Sequence, residues 1–437
     1  TEPTDRTRYR FNWTAPIVVS RHDANVLYHG GNVLFRSIDR GQSWTPASPD
    51  LSRNDRSRQG WGGTPITNEG AGGEVYGTII VIHEDPRDAR TLWIGTDDGR
   101  VQVTRDGGTT WSDVTPRGAG DGLVNEIEVS PFDANTVWIA YRTNRMGDPA
   151  PHVFRTTDGG RTWVRTVTGL REGEPVRVVR EDPERRGLLY AGTETGIYVS
   201  RDNGAQWQPF PARFPVVLVT DLAVHRGDLV AATEGRAFWI LDDLSTLRQH
   251  ADSLLTAPLH LHAPRPAVLA EGQGGFGGGG RNVGRNPPAG AMIHYRLGSA
   301  PDSTSPVTLE LLDARGTVVR SFSSRATDAG DRLPARAGVN LLVWNLRRRT
   351  PTTLAGVELF GAPRGGARVP AGRYTVRLTA NGTTRTQPLD VLPDPRVTTP
   401  PALVAERDAV AASLSERLGE INDAVLRVRE ARGQVQA

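Results

Sequence analysis

The chain of 437 residues carries 52 basic and 49 acidic side chains, giving a net charge of +3, and all of its basic residues are arginine. The two signs are interspersed rather than clustered, which argues against nucleic acid as a partner. Cysteine is absent, so disulfides, thiol catalysis and cysteine metal sites are excluded, and no apolar run is long enough to span a membrane.

Five repeat units follow one another in the first half of the chain. Each consists of a strand-like apolar run, a short turn, a second run and a hairpin. The units begin at Ile17, Thr78, Glu126, Val176 and Leu222. Four short strands per unit, with turn residues between them, are typical of a β-propeller blade. The sequence therefore predicts a mostly β fold with about five blades over residues 1–245, and a glycine-rich insertion at 49–73.

The first four units share the motif S/T-x-D-x-G-x-x-W, and the fifth unit lacks it. The copies are Ser37–Trp44, Thr104–Trp111, Thr156–Trp163 and Ser200–Trp207. We interpret the motif as a hairpin turn rather than a catalytic element, because aspartate accepts hydrogen bonds from nearby N–H groups. Glycine permits a positive φ, and tryptophan provides a large apolar anchor. These structural residues are Asp39, Gly41, Trp44, Asp106, Gly108, Trp111, Asp158, Gly160, Trp163, Asp202, Gly204 and Trp207.

The motif resembles the Asp-box, or bacterial neuraminidase repeat, of sialidases, xyloglucanases and sortilin-type ten-bladed propellers. In those families it lies on the hairpin between the third and fourth strands, away from the ligand face. The stretches Tyr9–Trp13, Gly187–Ser200 and Gly235–Asp243 resemble secreted bacterial proteins of the sortilin-like family, many of them labelled glycosyl hydrolases. That resemblance implies that this chain is the C-terminal part of a larger protein with further blades. The blades of this chain would then form only part of a ring.

The first residues do not show the charged and then apolar pattern of a signal peptide. We expect either that such a segment has been removed or that the chain is a fragment of a longer one. If the ring is partial, strand edges remain unpaired at Ile17 and near Leu241.

The second half of the chain changes character at about residue 246. Glycine and proline dominate 246–287, which predicts a linker, and period-two alternation over 288–394 predicts a β-sandwich. Stretches 309–319 and 369–374 of that region, with Trp344, resemble the Ig-like module of flagellar hook-cap proteins. Residues 395–437 show apolar side chains at three-to-four spacing, which predicts an amphipathic helix. Its apolar stripe must be covered, and one way to cover it is self-association.

Ligand faces in the resembling propellers lie where the first strand of each blade begins. The residues at these places are Trp13, Glu74, Tyr76, Asn125, Glu126, Arg177 and Asp221. Glu74 and Tyr76 are two apart and would point to the same side of a strand. A glycosidase normally needs two carboxylates across the scissile bond, and no second acid pairs convincingly with Glu74. The histidines lack ligand spacing, so we expect no metal and no cofactor.

The sequence thus favours an extracytoplasmic, non-enzymatic binding or assembly protein, whether secreted, periplasmic or on the cell surface. Its expected partners are a protein or the missing propeller half, with a glycan as a further candidate. The alternative is a sialidase-like or xyloglucanase-like glycoside hydrolase whose acid pair is completed by absent blades.

Overall fold

A computed structural model describes residues 8–59, 75–210, 214–270, 286–301, 305–354 and 365–436. Glu74, the N-terminal residues 1–7 and most of the predicted insertion lie outside these ranges. The chain divides into two compact units, Thr1–Leu241 and Asp242–Ala437. We describe each unit by itself.

The first unit consists of five small antiparallel sheets in which consecutive strands pair. The first two sheets contain β1 (Ile17–Val19), β2 (Leu27–Gly30), β3 (Leu34–Ser37), β4 (Thr45–Pro46), β5 (Ile79–Glu84), β6 (Leu92–Thr96), β7 (Val101–Thr104) and β8 (Ser112–Asp113). The next two contain β9 (Leu123–Val129), β10 (Val137–Arg142), β11 (His152–Thr156), β12 (Val164–Arg165), β13 (Val176–Glu181), β14 (Leu189–Thr193), β15 (Ile197–Ser200) and β16 (Gln208–Pro209). The fifth contains β17 (Val219–His225), β18 (Asp228–Thr233) and β19 (Phe238–Leu241). These sheets are the propeller blades that the sequence predicts.

Each hydrophobic core of this unit lies between two neighbouring blades. Ile79 and Ile94 of the second blade join Leu34 of the first in one buried cluster. Trp138 of the third blade and Val179 of the fourth belong to another. Each middle blade thus buries one face against its predecessor and one against its successor. In the described residues, the first and last blades each have a neighbouring blade on one side.

The four repeated motifs form the hairpins between the third and fourth strands. Asp106 shows the pattern: its carboxylate accepts hydrogen bonds from the Thr104 hydroxyl at 2.8 Å, the Thr110 amide at 2.9 Å and the Thr110 hydroxyl at 2.6 Å. These bonds hold the pKa of Asp106 low, at about 2. Asp39 and Asp158 make the same three bonds. The motif glycine takes a positive φ in all four copies, as predicted, with values from 84° to 100°.

The motif tryptophans differ more than the shared sequence suggests. Trp207 is fully buried, whereas Trp44 is exposed by 37%. The indole N–H of Trp44 bonds only to Gly41 in its own turn. By contrast, Trp163 donates to the Val114 carbonyl and Trp207 to the Thr166 carbonyl, and both acceptors follow the fourth strand of the preceding blade. In these two copies the motif also joins adjacent blades.

The two end blades expose apolar side chains. Ile17 on β1 is exposed by 63%, and Phe238 on β19 by 74%; Trp239 and Ile240 are also exposed. β19 pairs only with β18, because the fifth blade has three strands in the described part of the chain. The unpaired edges expected at Ile17 and near Leu241 are therefore present. A free inner edge is common to all blades, so the exposed faces are what distinguish the two ends.

The second unit is a two-layer β structure followed by a helix. One sheet has the order β20-β22-β25 and the other β21-β27-β26-β23-β24. The strands are β20 (Leu259–Leu261), β21 (Ala267–Val268), β22 (Ala291–Leu297), β23 (Thr308–Leu312), β24 (Val318–Ser323), β25 (Gly338–Trp344), β26 (Gly372–Ala380) and β27 (Thr383–Leu392). Both sheets contribute to one buried cluster that includes Ile293, Trp344 and Val376, so they form a sandwich.

The linker predicted over 246–287 is wrong in its first part. Two short helices, α1 (Ser245–Arg248) and α2 (Asp252–Thr256), begin it. β20 then pairs antiparallel with β22, and β21 pairs parallel with β27. Leu259 and Leu261 are buried because this short apolar alternation completes the sandwich; the prolines on either side concealed it. The glycine-rich part, 271–285, lies outside the described residues.

The predicted C-terminal helix is present as α3 (Pro401–Gln436). Its two buried residues are polar, Asp408 and Asn422, and the Asn422 amide donates to the Thr352 carbonyl at 2.6 Å. Apolar side chains such as Leu414, Ile421 and Val428 are exposed instead. The packed side of the helix also contains half-buried Val404, Leu418 and Val425, so the apolar residues are divided between the packed and the exposed sides. In the described residues, no helix is long and apolar enough to cross a membrane.

We predict that Asp106→Ala lowers the melting temperature without impairing ligand binding, because it leaves the Thr110 amide and both threonine hydroxyls without their acceptor. Thermal unfolding followed by circular dichroism checks this. Glu172→Ala, which removes an acid from an exposed turn, is the control and should melt like the unmodified chain. Unchanged melting of Asp106→Ala would contradict the structural role.

Candidate functional site

The residues predicted for the ligand face separate into distinct places. Glu126 and Asp221 come together through a shared arginine, and Asn125 joins Arg177 at the beginning of β13. Tyr76 is buried and does not reach the surface. Trp13 is largely exposed, in a turn before β1, and Glu74 lies outside the described residues.

The shared arginine is Arg180 on β13, the innermost strand of the fourth blade. Its guanidinium contacts Glu126 at 2.9 Å and Glu128 at 3.5 Å on β9, and Asp221 at 2.9 Å on β17. It also donates to the Leu222 carbonyl at 2.8 Å. We call Arg180, Glu126, Glu128 and Asp221 the Arg180 network. It ties together the inner strands of the third, fourth and fifth blades.

The network is mostly withdrawn from solvent. Arg180 keeps 20% of its side-chain surface exposed and Glu128 keeps 12%, whereas Asp221 is the open member. Burial raises the pKa of Glu128 to about 7, although Arg180 opposes the rise. Burial also disfavours the Arg180 cation, but the carboxylates of Glu126 and Glu128 outweigh it and raise the arginine's pKa. With its pKa at about 7, Glu128 is partly protonated at neutral pH, beside a permanently charged guanidinium.

His83 on β5 lies close to this network. Burial, followed by the positive charges of Arg21 and Arg180, lowers the pKa of its imidazole to about 3. The side chain is therefore neutral at physiological pH and is a poor proton donor. Its Nε2 atom is buried and has no hydrogen-bond partner in the described part of the chain.

A second acidic pair lies in the turn between β6 and β7. Asp97 accepts hydrogen bonds from the amides of Gly77 at 3.0 Å and Thr78 at 2.7 Å. Asp98 accepts from the Thr96 hydroxyl and the Arg53 amide. Burial, with repulsion from Asp98, raises the pKa of Asp97 to about 7. Both carboxylates are occupied by the chain that leads into the second blade, so we assign them to the fold.

A third group of polar residues lies where β13 begins, facing the end of β10. The Arg177 guanidinium pairs with Glu194 at 2.9 Å, and the Asn125 amide donates to the Arg177 carbonyl at 2.5 Å. Arg142, the last residue of β10, and Arg145, in the 3-10 turn that follows, add two further cations. We call Asn125, Arg142, Arg145, Arg177 and Glu194 the rim cluster. Arginines outnumber acids in it by three to one.

These three groups define the chemistry that the described residues offer. The three acids of the Arg180 network share one arginine, and the Asp97–Asp98 pair accepts hydrogen bonds from backbone amides. No group of three or more metal-binding side chains is placed to hold an ion in the part of the chain that the structure describes. What remains open to a ligand is the arginine-rich rim cluster.

Sequence reasoning missed the residues that organise these groups. Arg180 and Glu128 lie near the ends of inner strands, and their partners come from blades about one repeat away in sequence. Arg142 ends a strand that otherwise looks apolar. A polar residue on an otherwise buried strand was the available signal, since such residues require a partner.

Comparisons with known proteins find relatives for parts of the chain. No family model matches it. The oligoxyloglucan-reducing end-specific xyloglucanase of Emericella nidulans is 30% identical over 241 residues, which cover 49% of this chain and 27% of that protein. The match thus spans about a quarter of the relative's length.

Several solved structures also match the chain, at lower sequence identity. The GH74 xyloglucanase of Xanthomonas campestris aligns with a TM-score of 0.40 and 16% identity, covering 85% of this chain and 63% of the enzyme. The structure of YCF48 bound to a D1 peptide aligns with a TM-score of 0.30 and 23% identity, covering 38% of this chain and 49% of the other.

We predict that Arg180→Gln destabilises the chain by about 3 kcal/mol, because it leaves buried carboxylates without their cation. Urea unfolding measures this. Adding Glu128→Gln to Arg180→Gln should recover part of the loss, because one uncompensated acid is removed. Arg90→Gln, at an exposed arginine paired only with Asp88, is the matched control. A double variant no more stable than Arg180→Gln would contradict the electrostatic explanation.

We also predict that Asp97→Asn stabilises the chain above pH 7, that the gain shrinks as the pH falls toward 3.8, and that little of it remains below that pH. The folded pKa of Asp97 is raised from its ordinary 3.8 to about 7, so ionising this buried acid costs stability as the pH rises through that interval. Melting temperatures across the interval measure the difference. Asp88→Asn, whose exposed carboxyl has a lowered pKa, should show no gain at high pH.

Proposed function

We propose that this chain is a non-enzymatic propeller protein that acts in binding or assembly. Its end blades would form the surfaces that bind another protein. The observation that carries the proposal is the exposed apolar face and free edge of the fifth blade. Phe238 and Ile240 lie on one face of β19 and are exposed by 74% and 59%. Trp239, between them, points to the opposite face and is exposed by 40%. Clusters of exposed large apolar side chains on folded proteins mark interaction sites.

The other end of the blade series supports the same conclusion. Ile17 and Val19 on β1 and Trp13 before it are exposed. The inner strands of the second, third and fourth blades, by contrast, are mostly buried or half-buried. The first and fifth blades, at the two ends of the series, therefore each expose apolar side chains of the kind that the middle blades bury against their neighbours. The occupant is a protein surface, supplied by a partner chain or by further blades of a longer protein.

The non-enzymatic part of the proposal follows from the acids. Of the three carboxylates that the sequence placed on the ligand face, Glu126 and Asp221 contact Arg180, and Glu74 lies outside the described residues. The carboxylates of Glu126 and Asp221 are therefore engaged in ion pairs that link the inner strands of neighbouring blades. The described residues thus offer a scaffold rather than a reaction centre.

The second candidate is a glycoside hydrolase of xyloglucanase or sialidase type, which the 30% identity to the Emericella nidulans enzyme favours. In that case the missing acid lies beyond the described residues. Purified chain incubated with xyloglucan oligosaccharides and with sialyllactose distinguishes the two functions. Release of sugar that Glu126→Gln or Asp221→Asn abolishes would establish the hydrolase and overturn our proposal; binding without release would add a glycan partner.

An extracytoplasmic location belongs to the proposal and rests on the resemblance of the repeats to secreted bacterial proteins.

Self-association through α3 is a further part of the proposal. The apolar side chains of Leu414, Ile421 and Val428 are exposed at seven-residue spacing, which is the spacing of a coiled-coil seam. Cell fractionation and sedimentation of the purified chain test these two points.

We predict that a photo-reactive phenylalanine analogue at position 238 or 17 forms covalent adducts with another protein in cells of the native organism. The apolar faces of the end blades would be covered there, so the probe lies against the partner. Immunoblotting of irradiated cells detects the adducts.

Ile38 and Val164 are matched control positions, because they are exposed by 67% and 65% but lie on or beside the motif hairpins. Adducts at 238 and 17, and not at 38 or 164, are the expected result. Equal labelling at all four positions, or none at 238 and 17, would show that the end faces do not dock a protein.

A further inference from the structure

Arg142 differs from the other buried or half-buried arginines of the first unit. Arg10 pairs with Asp50, Arg177 with Glu194 and Arg180 with three acids. Arg142 makes no ion pair and no hydrogen bond in the described part of the chain, and its Nε atom is buried without an acceptor. A guanidinium has five N–H donors, so this one is left with its full binding capacity.

The surroundings of Arg142 disfavour the charged form of its guanidinium. The charges that act on it are those of Arg177, Arg145 and Glu194, of which only Glu194 is negative. Glu194 already accepts a hydrogen bond from the Nε atom of Arg177. Burial, together with the two neighbouring arginines, lowers the pKa of Arg142 to about 10. A half-buried cation with like charges beside it is unfavourable unless an anion compensates it.

The fold keeps the arginines in this arrangement. Arg142 ends β10 opposite Leu123 on β9, and Arg177 stands near the beginning of β13 in the next blade. The Asn125 amide fixes the Arg177 carbonyl, and the Glu194 carboxylate orients the Arg177 side chain. Two guanidiniums are therefore positioned by blades that pack against each other, while Arg145 is exposed in the turn beside them.

We propose that the rim cluster binds an oxyanion of carboxylate or phosphate type, with Arg142 as the main contact and Arg177 and Arg145 beside it. Guanidinium groups match the planar geometry of carboxylate oxygens and form two parallel hydrogen bonds with carboxylate or phosphate. The site is independent of the docking faces on the end blades. The rim cluster would bind either a small acidic ligand or the acidic group of a larger ligand.

Isothermal titration calorimetry of the full chain with sodium D-glucuronate and with inorganic phosphate tests the site, and glucose serves as the uncharged counterpart. We expect at least one of the two anions to bind and glucose not to bind. The anion that binds identifies the preferred ligand chemistry. Arg142→Gln should weaken binding about tenfold or more, which is the effect of losing a charged hydrogen bond, and Arg142→Lys should restore part of it.

Arg90→Gln removes the same charge from an exposed site and should leave anion affinity unchanged. Melting temperatures provide the second readout. The binding anion should raise the melting temperature of the unmodified chain but not of Arg142→Gln. Without anion, Arg142→Gln should be no less stable, since the arginine has no partner to lose. Failure of both anions to bind, or equal binding by Arg142→Gln, would overturn the site.

Discussion

The first unit depends on the ion pairs of Arg180. Its blades are separate sheets, so no ladder of backbone hydrogen bonds joins one blade to the next. Apolar packing holds the blades face to face, but such packing is non-directional and does not fix how far one inner strand slides along another. Arg180 supplies that register, because its guanidinium bonds to acids on β9 and β17 and to the Leu222 carbonyl. Glu84 makes a comparable link between the first two blades through Ser20.

The pairing of charged residues also bears on where a ligand could bind. Acids at the centre of the unit serve the fold, and each is held by an arginine or by backbone amides. The cations of the rim cluster have too few acids to neutralise them. Our proposals therefore place binding at a positively charged rim and at apolar end faces, and not between two carboxylates, where a hydrolase would be sought. Propeller scaffolds separate structural and binding residues in this way because function lives in sites added to a fold.

The sequence predicts what is local and misses what is distant. The motif hairpins follow from Asp106 and its counterparts because every partner of the aspartate lies within four residues. Strand alternation likewise locates most of the blades and the main strands of the sandwich. β20 and β21 were missed because they are two or three residues long and have prolines nearby. Arg180 and Arg142 were missed because their importance depends on residues about a blade away, which no local pattern encodes.

The indole bonds of Trp163 and Trp207 imply an order of construction. Each reaches back to a carbonyl just after the last strand of the preceding blade, so these two hydrogen bonds can form only when the preceding blade is already in place. A chain emerging from the ribosome meets this condition at every step, because earlier blades are synthesised first. A circular permutation that cut between the third and fourth blades would reverse the condition, and the later blade would have to wait for its support.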